Sequence, residues 1–224
     1  MKHFFVLIAL FVSVVSFAQE EAKKEDRNKH QDHLLIDFGY ETFTSRPGYT
    51  NFKWYNNGLN IQMFYDKPFG KSGLSGAIGI GYSTQSYYSD SQIRRDTNVA
   101  NPYSNWVSAE EGYKKNKVSL SWVEVPVELR FRSKMDHLGY QWKFSVGGKV
   151  GLLFDTHDKR VDQNSVKYKT YDFPDMNNVR LGLIARAGYG KVNFSTFFSL
   201  TEFFTPGSGP EMRQVSVAVS LVPF

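Results

Sequence analysis

Residues 117–132 read KVSLSWVEVPVELRFR. From Val123 the alternation is strict: Val123, Val125, Val127, Leu129 and Phe131 are apolar, and Glu124, Pro126, Glu128 and Arg130 stand between them. A side-chain period of two belongs to a β-strand with two unlike faces. Such a strand fits two settings. In a soluble sandwich the apolar face packs inward and the charges meet water. In a membrane barrel the apolar face meets lipid and the charges point into the lumen.

Seven further stretches alternate in the same way, near 33–42, 58–66, 73–84, 139–154, 179–189, 191–201 and 214–224. The stretch at 139–154 places Tyr140, Trp142, Phe144, Val146, Val150, Leu152 and Phe154 on one parity, with Gln141, Lys143, Ser145, Gly147 and Lys149 on the other. Short connections at 67–72, 133–138 and 190–191 alternate with long ones at 43–57, 85–116, 155–178 and 202–213. The long ones are rich in Tyr, Asn, Asp, Ser and Pro. Short turns at one end and long polar loops at the other are the pattern of an outer-membrane barrel. An even strand count returns both termini to the short-turn side, which is expected to face the periplasm.

The polar parity carries Asp37, Glu41, Asp66, Glu124 and Glu128, and against them Arg130, Lys143, Lys149, Arg180 and Arg186. The signs balance. A soluble barrel could not hold this set in its core without heavy desolvation loss. Turned outward on a soluble barrel, the set would send too many large apolar residues into a narrow bore; a lipocalin-like binder needs smaller and less even ones. The reading is therefore an all-β, eight-stranded antiparallel up-and-down transmembrane β-barrel with lipid outside. Tyr40, Tyr65, Tyr82, Tyr140, Trp142 and Tyr189 fall on the lipid parity, mostly near strand ends, where interfacial aromatics belong. Eight strands leave room only for side chains, so a plugged lumen is expected rather than a pore for polar solutes.

Met1-Lys2-His3, the apolar run at 4–15 and Ser16-Phe17-Ala18 have the form of a secretory leader cleaved before Gln19. The run is shorter than the ~20 residues of a spanning helix. Losing Lys2 with the leader changes the formal charge from +5 to +4. The expected divisions are a signal peptide at 1–18, a charged periplasmic tail at 19–32 and the barrel at 33–224. The tail holds one alanine and nothing larger that is apolar, so it buries nothing. With no cysteine, disulfides and thiolate metal sites are excluded, as is a lipid-anchored cysteine. Basic and acidic residues are interleaved, which leaves no nucleic-acid footprint.

Trp122-Val123-Glu124-Val125-Pro126 resembles the aromatic-Leu-Glu-Ile-Pro signature of the Bacteroidetes outer-membrane β-barrel family that includes PorT-like proteins. The Phe17-Ala18-Gln19 leader end is similar to leaders of those bacteria. Phe224 resembles the final aromatic read by the barrel-assembly machinery, which the resemblance implies as a partner during biogenesis. It also implies an accessory role in an outer-membrane complex, with type IX secretion as the family's example. Two departures stand out. Phe224 is on the opposite parity from Val215, Val217, Val219 and Leu221. Trp122 and Val123 are adjacent apolar residues, which reads as a phase shift in that strand. Pro126 removes a ladder hydrogen bond from a wall without edges; it reads as a tolerated bulge, against the alternative of a deliberately weak seam.

Chemistry is sparsely signalled. Asp155-Thr156-His157-Asp158 offers one His and two carboxylates for a metal or an acid–base pair, but also reads as the polar start of a loop. His30, His33 and His137 belong to the opposite end. No phosphate loop or nucleophile elbow is present. No enzyme activity, cofactor, metal or catalytic residue is expected. The stretch 85–116 holds Tyr87, Tyr88, Arg94, Arg95, Tyr103 and Trp106; these suit protein or glycan binding or packing of loops over the barrel mouth. Three functions follow: a scaffold or accessory subunit in the outer membrane, a surface receptor or adhesin acting through its loops, or a hydrolase or acyltransferase at the mouth. Expected partners are outer-membrane lipid and a protein of such a complex.

Overall fold

A computed structural model of the chain describes residues 33–48, 50–70, 72–97, 103–108, 113–171 and 173–222. The expected leader at 1–18, the expected tail at 19–32 and Phe224 lie outside the described residues. The strands are β1 (Leu34–Thr44), β2 (Asn57–Pro68), β3 (Leu74–Tyr88), β4 (Ser91–Asp96), β5 (Tyr103–Ser108), β6 (Tyr113–Arg132), β7 (Trp142–Asp162), β8 (Lys167–Thr170), β9 (Val179–Tyr189), β10 (Val192–Ser199) and β11 (Arg213–Leu221). Eight of them, β1, β2, β3, β6, β7, β9, β10 and β11, form a closed antiparallel barrel in chain order. β1 meets β11 from Ile36 opposite Leu221 to Thr44 opposite Arg213. The sequence at 117–132 is most of β6, which pairs with β7 from Tyr113 opposite Asp162 down to Arg132 opposite Lys143.

The barrel is inside-out. Val127, Val146, Phe194 and Val217 are 54%, 60%, 65% and 55% exposed on the outer face, while Glu124 and Arg180 inside are 0% and 1% exposed. An apolar band on this scale is the mark of a membrane surface. On β6 it runs from Val123 to Phe131, the ~9–11 residues a tilted strand needs to span hydrocarbon. Tyr40, Tyr65, Tyr82, Tyr140, Trp142 and Tyr189 are all exposed on this face. Trp142 and Tyr140 both pack on Tyr189, at 5.2 and 5.6 Å between ring centroids, at the short-turn rim.

The short turns are built by specific atoms. Asp136 accepts hydrogen bonds from the backbone N–H groups of Leu138 (2.8 Å) and Tyr140 (2.9 Å), and from the Tyr189 hydroxyl. This turn delays the start of β7 to Trp142, three residues past the expected 139. The β9–β10 turn needs φ of +62° at Gly190, which a side chain resists.

The long loops contain more regular structure than expected. The stretch 85–116 extends β3 to Tyr88, starts β6 at Tyr113 and holds the β4–β5 hairpin between them. The stretch 155–178 continues β7 to Asp162 and adds β8 on its edge. β10 and β11 end at Ser199 and Leu221, short of the expected 201 and 224. The expected phase shift at Trp122 is absent: even residues of β6 face inward from Asn116 to Arg132. The β6–β7 ladder has two register irregularities, one between Tyr113 and Lys115 and one that lies on β7. Ser121 is opposite Asp155 and Trp122 opposite Leu153, so Phe154 bulges between them.

Val146→Arg puts a charge in the middle of the lipid band and should destabilise the folded barrel by about 2–4 kcal/mol, read as a lower urea midpoint in lipid vesicles. An unchanged midpoint would place this face away from hydrocarbon.

Candidate functional site

The site is the interior, and its lower half is ionic. Every second residue of each strand points inward, so eight strands deliver their charges to one axis. Arg132 binds Asp66 and donates to Ser75 Oγ at 2.8 Å. Asp66 also holds Arg130 (3.2 Å), which reaches Glu128 at 3.0 Å through Nε. The second oxygen of Glu128 accepts from Arg186 Nε at 3.1 Å, and Arg186 Nη1 reaches Asp37 at 2.9 Å. Arg186 further donates to Gln62 (2.7 Å) and Ser220 (3.0 Å). One continuous chain of ion pairs therefore links β6, β2, β9 and β1.

A second group lies above it. Glu124 is bound by Arg180 through one oxygen and by Lys149 Nζ, at 2.9 Å, through the other. Arg180 also donates to Gln85 (2.7 Å) and Gln214 (2.9 Å). Glu41 accepts from Gln85 Nε2 at 3.0 Å and from Ser216 at 2.9 Å. Charge-assisted bonds of this kind are the strong ones, and buried ions need them to offset desolvation.

The ionic half meets aromatic rings. Arg180 stacks over Trp122 at 4.2 Å and lies 5.0 Å from Phe197, and Lys149 stands over Phe197 at 4.2 Å. Gly182 makes this possible: a Cβ there would fall 2.3 Å from the Phe197 ring. Above Trp122 the lining turns apolar. Phe43, Tyr87, Trp106, Leu120, Met176, Phe203, Phe204 and Met212 form one buried cluster. Phe43 contacts Tyr87 at 4.3 Å and Phe203 at 5.0 Å between centroids, and Phe52 meets Trp106 at 5.2 Å.

Polar clamps fix the loops that supply this plug. Ser104, on the β4–β5 hairpin, donates to Asp175 at 2.6 Å, and its N–H donates to the Ser208 carbonyl at 2.8 Å. Arg95 binds the same Asp175 at 3.0 Å. Tyr87 and Trp106 are thus interior packing, not free loop aromatics. A void of about 30 Å³ remains beside Asp37, Glu41, Lys149 and Arg186, room for about one or two waters.

Most of the charges singled out from sequence meet within these two groups. Glu41 joins through hydrogen bonds alone, with no ion pair to a described residue. Lys143 is half-buried at the short-turn rim, opposite Arg132 in the ladder. Arg132 itself was missed, though it continues the parity of Arg130. Trp122, Glu124 and Pro126 of the sequence motif face inward, and Val123 and Val125 face out.

Pro126 is fully buried and makes no bulge. The β3–β6 ladder runs to Ile78 opposite Val127, skips Gly79 and Ile80, and resumes at Gly81 opposite Glu124 in the same phase. A proline has no N–H to give the Gly79 carbonyl, so the wall has a gap in bonding without a change of register.

The stretch Asp155 to Asp158 lies within β7, not in a loop. His157 Nδ1 is 2.9 Å from Asp155 Oδ2. Strand alternation turns Asp158 inward, where it binds Arg160 at 3.0 Å. The three groups do not converge, and among the described residues no cluster of three His, Asp or Glu is arranged for a metal. His33 contacts the Phe64 carbonyl at 3.2 Å.

Glu124→Ala strands Lys149 and Arg180 without a carboxylate and should cost about 3–5 kcal/mol. Glu128→Ala should cost less, because Arg130 keeps Asp66 and Arg186 keeps Asp37. Urea midpoints of the two variants in detergent test that order. Pro126→Val restores a donor opposite Gly79 and should leave assembly intact, with a gain of about 0.5–1.5 kcal/mol; a normally folded variant that loses activity in cells would instead mark the gap as functional.

A barrel of the outer membrane is also what the comparisons with known proteins support. No curated protein matches the chain. A family model described as outer membrane protein beta-barrel domain matches residues 17–205. The chain belongs to this outer-membrane β-barrel family.

Proposed function

We propose that this protein is a non-enzymatic scaffold or accessory subunit of an outer-membrane complex, of the PorT-like kind associated with type IX secretion in Bacteroidetes. Both termini are then periplasmic, and the long loops face outward. The observation that carries the reading is the double seal of the interior. Ion pairs among Asp66, Glu128, Arg130 and Arg186 fill the lower half, and rings of Phe43, Tyr87, Trp106 and Phe203 fill the upper half. A barrel whose bore is filled in this way by its described residues works through its outer surfaces. The separation of Asp158 from His157 by strand alternation favours a non-catalytic mouth.

The receptor or adhesin reading has one observation in its favour. Trp54 is 84% exposed at the tip of the β1–β2 loop, with Tyr55 beside it at 5.7 Å between rings. Exposed aromatics are the residues binding hot spots favour.

Two measurements separate these readings. The purified barrel in planar bilayers should show no steady ion conductance; stable single-channel steps would overturn the sealed interior. Affinity purification from native membranes in mild detergent should bring down a stoichiometric secretion or assembly subunit. Its absence, with loop-dependent binding lost in Trp54→Ala, would favour the receptor.

A further inference from the structure

Above the lipid band, β3, β6, β7 and β8 continue as one sheet. Its registers set Tyr88 opposite Lys117, Lys117 opposite Lys159, and Lys159 opposite Lys169. Three lysines therefore stand side by side across three strands. The next row adds Lys115 and Lys167, opposite each other across Val161. All five face outward: Lys115 and Lys117 share the parity of Val123 on β6, the bulge at Phe154 moves the outward parity of β7 to odd residues so that Lys159 joins them, and register with β7 sets Lys167 and Lys169 on the same side. Like charges directly opposite one another are destabilising in a sheet, so this arrangement works against the fold unless an anion meets it.

The described residues supply no anion to this row. Among the described residues, no carboxylate lies within ion-pair distance of these lysines. The nearby acids are otherwise engaged: Asp155 with His157 at 2.9 Å, Asp158 with Arg160 at 3.0 Å on the inward face, and Asp162 with the Val166 N–H at 2.8 Å. Burial, and then the ammonium groups of Lys115, Lys159 and Lys169, pull the Lys117 pKa down. Lys115 and Lys117 lean on the Tyr88 ring at 5.4 and 5.7 Å, and Tyr55 packs on that ring at 4.9 Å.

Height selects the occupant. Lys117 stands six residues beyond Val123, the last apolar residue of the band on β6. That is roughly 20 Å along the strand at ~3.3 Å per residue, and ~15 Å along the membrane normal at a ~40° tilt. A simple phospholipid headgroup layer is only ~5–8 Å deep. A taller, sugar-based head group reaches this level, and lysines reach down toward it by snorkelling. Phosphates on such a head group match the ammonium row, and its sugar rings match the faces of Tyr88 and Tyr55.

We infer that the outward face of the β6–β7–β8 extension binds the phosphorylated saccharide head of an outer-leaflet glycolipid, with Lys117, Lys159 and Lys169 holding the phosphate. The inference rests on the proposed orientation, with the long loops outside.

The test uses the full-length barrel in detergent, with a diphosphorylated glycolipid of the lipid A type and the same lipid after phosphatase treatment. Native mass spectrometry should show the phosphorylated lipid bound more tightly by roughly tenfold or more. Replacing Lys117, Lys159 and Lys169 together by Gln should abolish that preference, and replacing them by Arg should keep it. Lys134→Gln with Lys191→Gln, at the other rim, should leave it unchanged. Heat-modified gel mobility checks that each variant is folded. In lipid-free detergent, Lys159→Gln should also raise the melting temperature, because it breaks the row. Equal binding of the two lipids, or an unaltered Gln triple variant, overturns the site. Inorganic phosphate binding as tightly as the lipid overturns the glycolipid as its source. The chain lacks cysteine, so Lys169→Cys gives a single label. An impermeant maleimide should reach it on intact cells. Protection there, with phosphate-dependent binding intact in detergent, would overturn the orientation and the outer-leaflet source but not the phosphate site.

Discussion

A sheet in hydrocarbon cannot have an edge. Each unpaired N–H or C=O would lie in a medium with no water to satisfy it, at a cost of several kcal/mol. Every other feature of this barrel follows from closing the ring, which β1 and β11 do by pairing from Ile36 opposite Leu221 upward. Closure fixes the bore at eight strands. It sends one parity of every strand into a space too narrow for anything but side chains. The lapse in the β3–β6 ladder at Pro126 is tolerated because it costs a single bond and leaves the register on either side in phase.

The interior solves its packing in two ways at two depths. Where strands are held on both sides, the inward residues are long and charged, and they reach across the axis. Arg186 links Glu128 to Asp37, and Arg130 links Asp66 to Glu128. Higher up the walls give way to loops, and side chains from the wall alone no longer fill the bore. There the hairpin residue Trp106 and the loop residues Met176, Phe203 and Met212 come in from above. Trp122 serves both halves: one face takes the Arg180 guanidinium, and the ring joins the apolar cluster.

How much of this was legible depended on depth. In the lower barrel the period of two identified the strands, and charge on the minority parity identified the lumen. Glu124, Glu128 and Arg186 were visible on that basis. In the upper barrel the same rule held but its signal inverted. Phe43, Tyr87 and Trp122 stay on the inward parity of β1, β3 and β6. Being apolar, they imitate the lipid face, so Trp122 beside Val123 looked like a change of phase. Extending each strand's parity past the membrane band would have placed all three correctly. Trp106, Phe203 and Met212 had no comparable signal. Their positions are set by contacts remote in sequence, such as Ser104 with Asp175 and Ser208, which no local pattern encodes. The lysine row was hidden for a similar reason. Its members are scattered over three strands, one of which, β8, has only four residues.

The partners of the interior charges also impose a chronology on the molecule. Arg186 needs Asp37 from the first strand and Ser220 from the last; Glu41 needs Ser216; Arg180 needs Gln214. Until the final strand docks, these groups face an open trough that must stay wet. Contacts so distant in sequence are slow to form, and here they form together when the trough becomes a tube. Dehydration of the axis is therefore postponed to the closing moment, and the nascent sheet has to be sheltered in a hydrated state until its two ends meet.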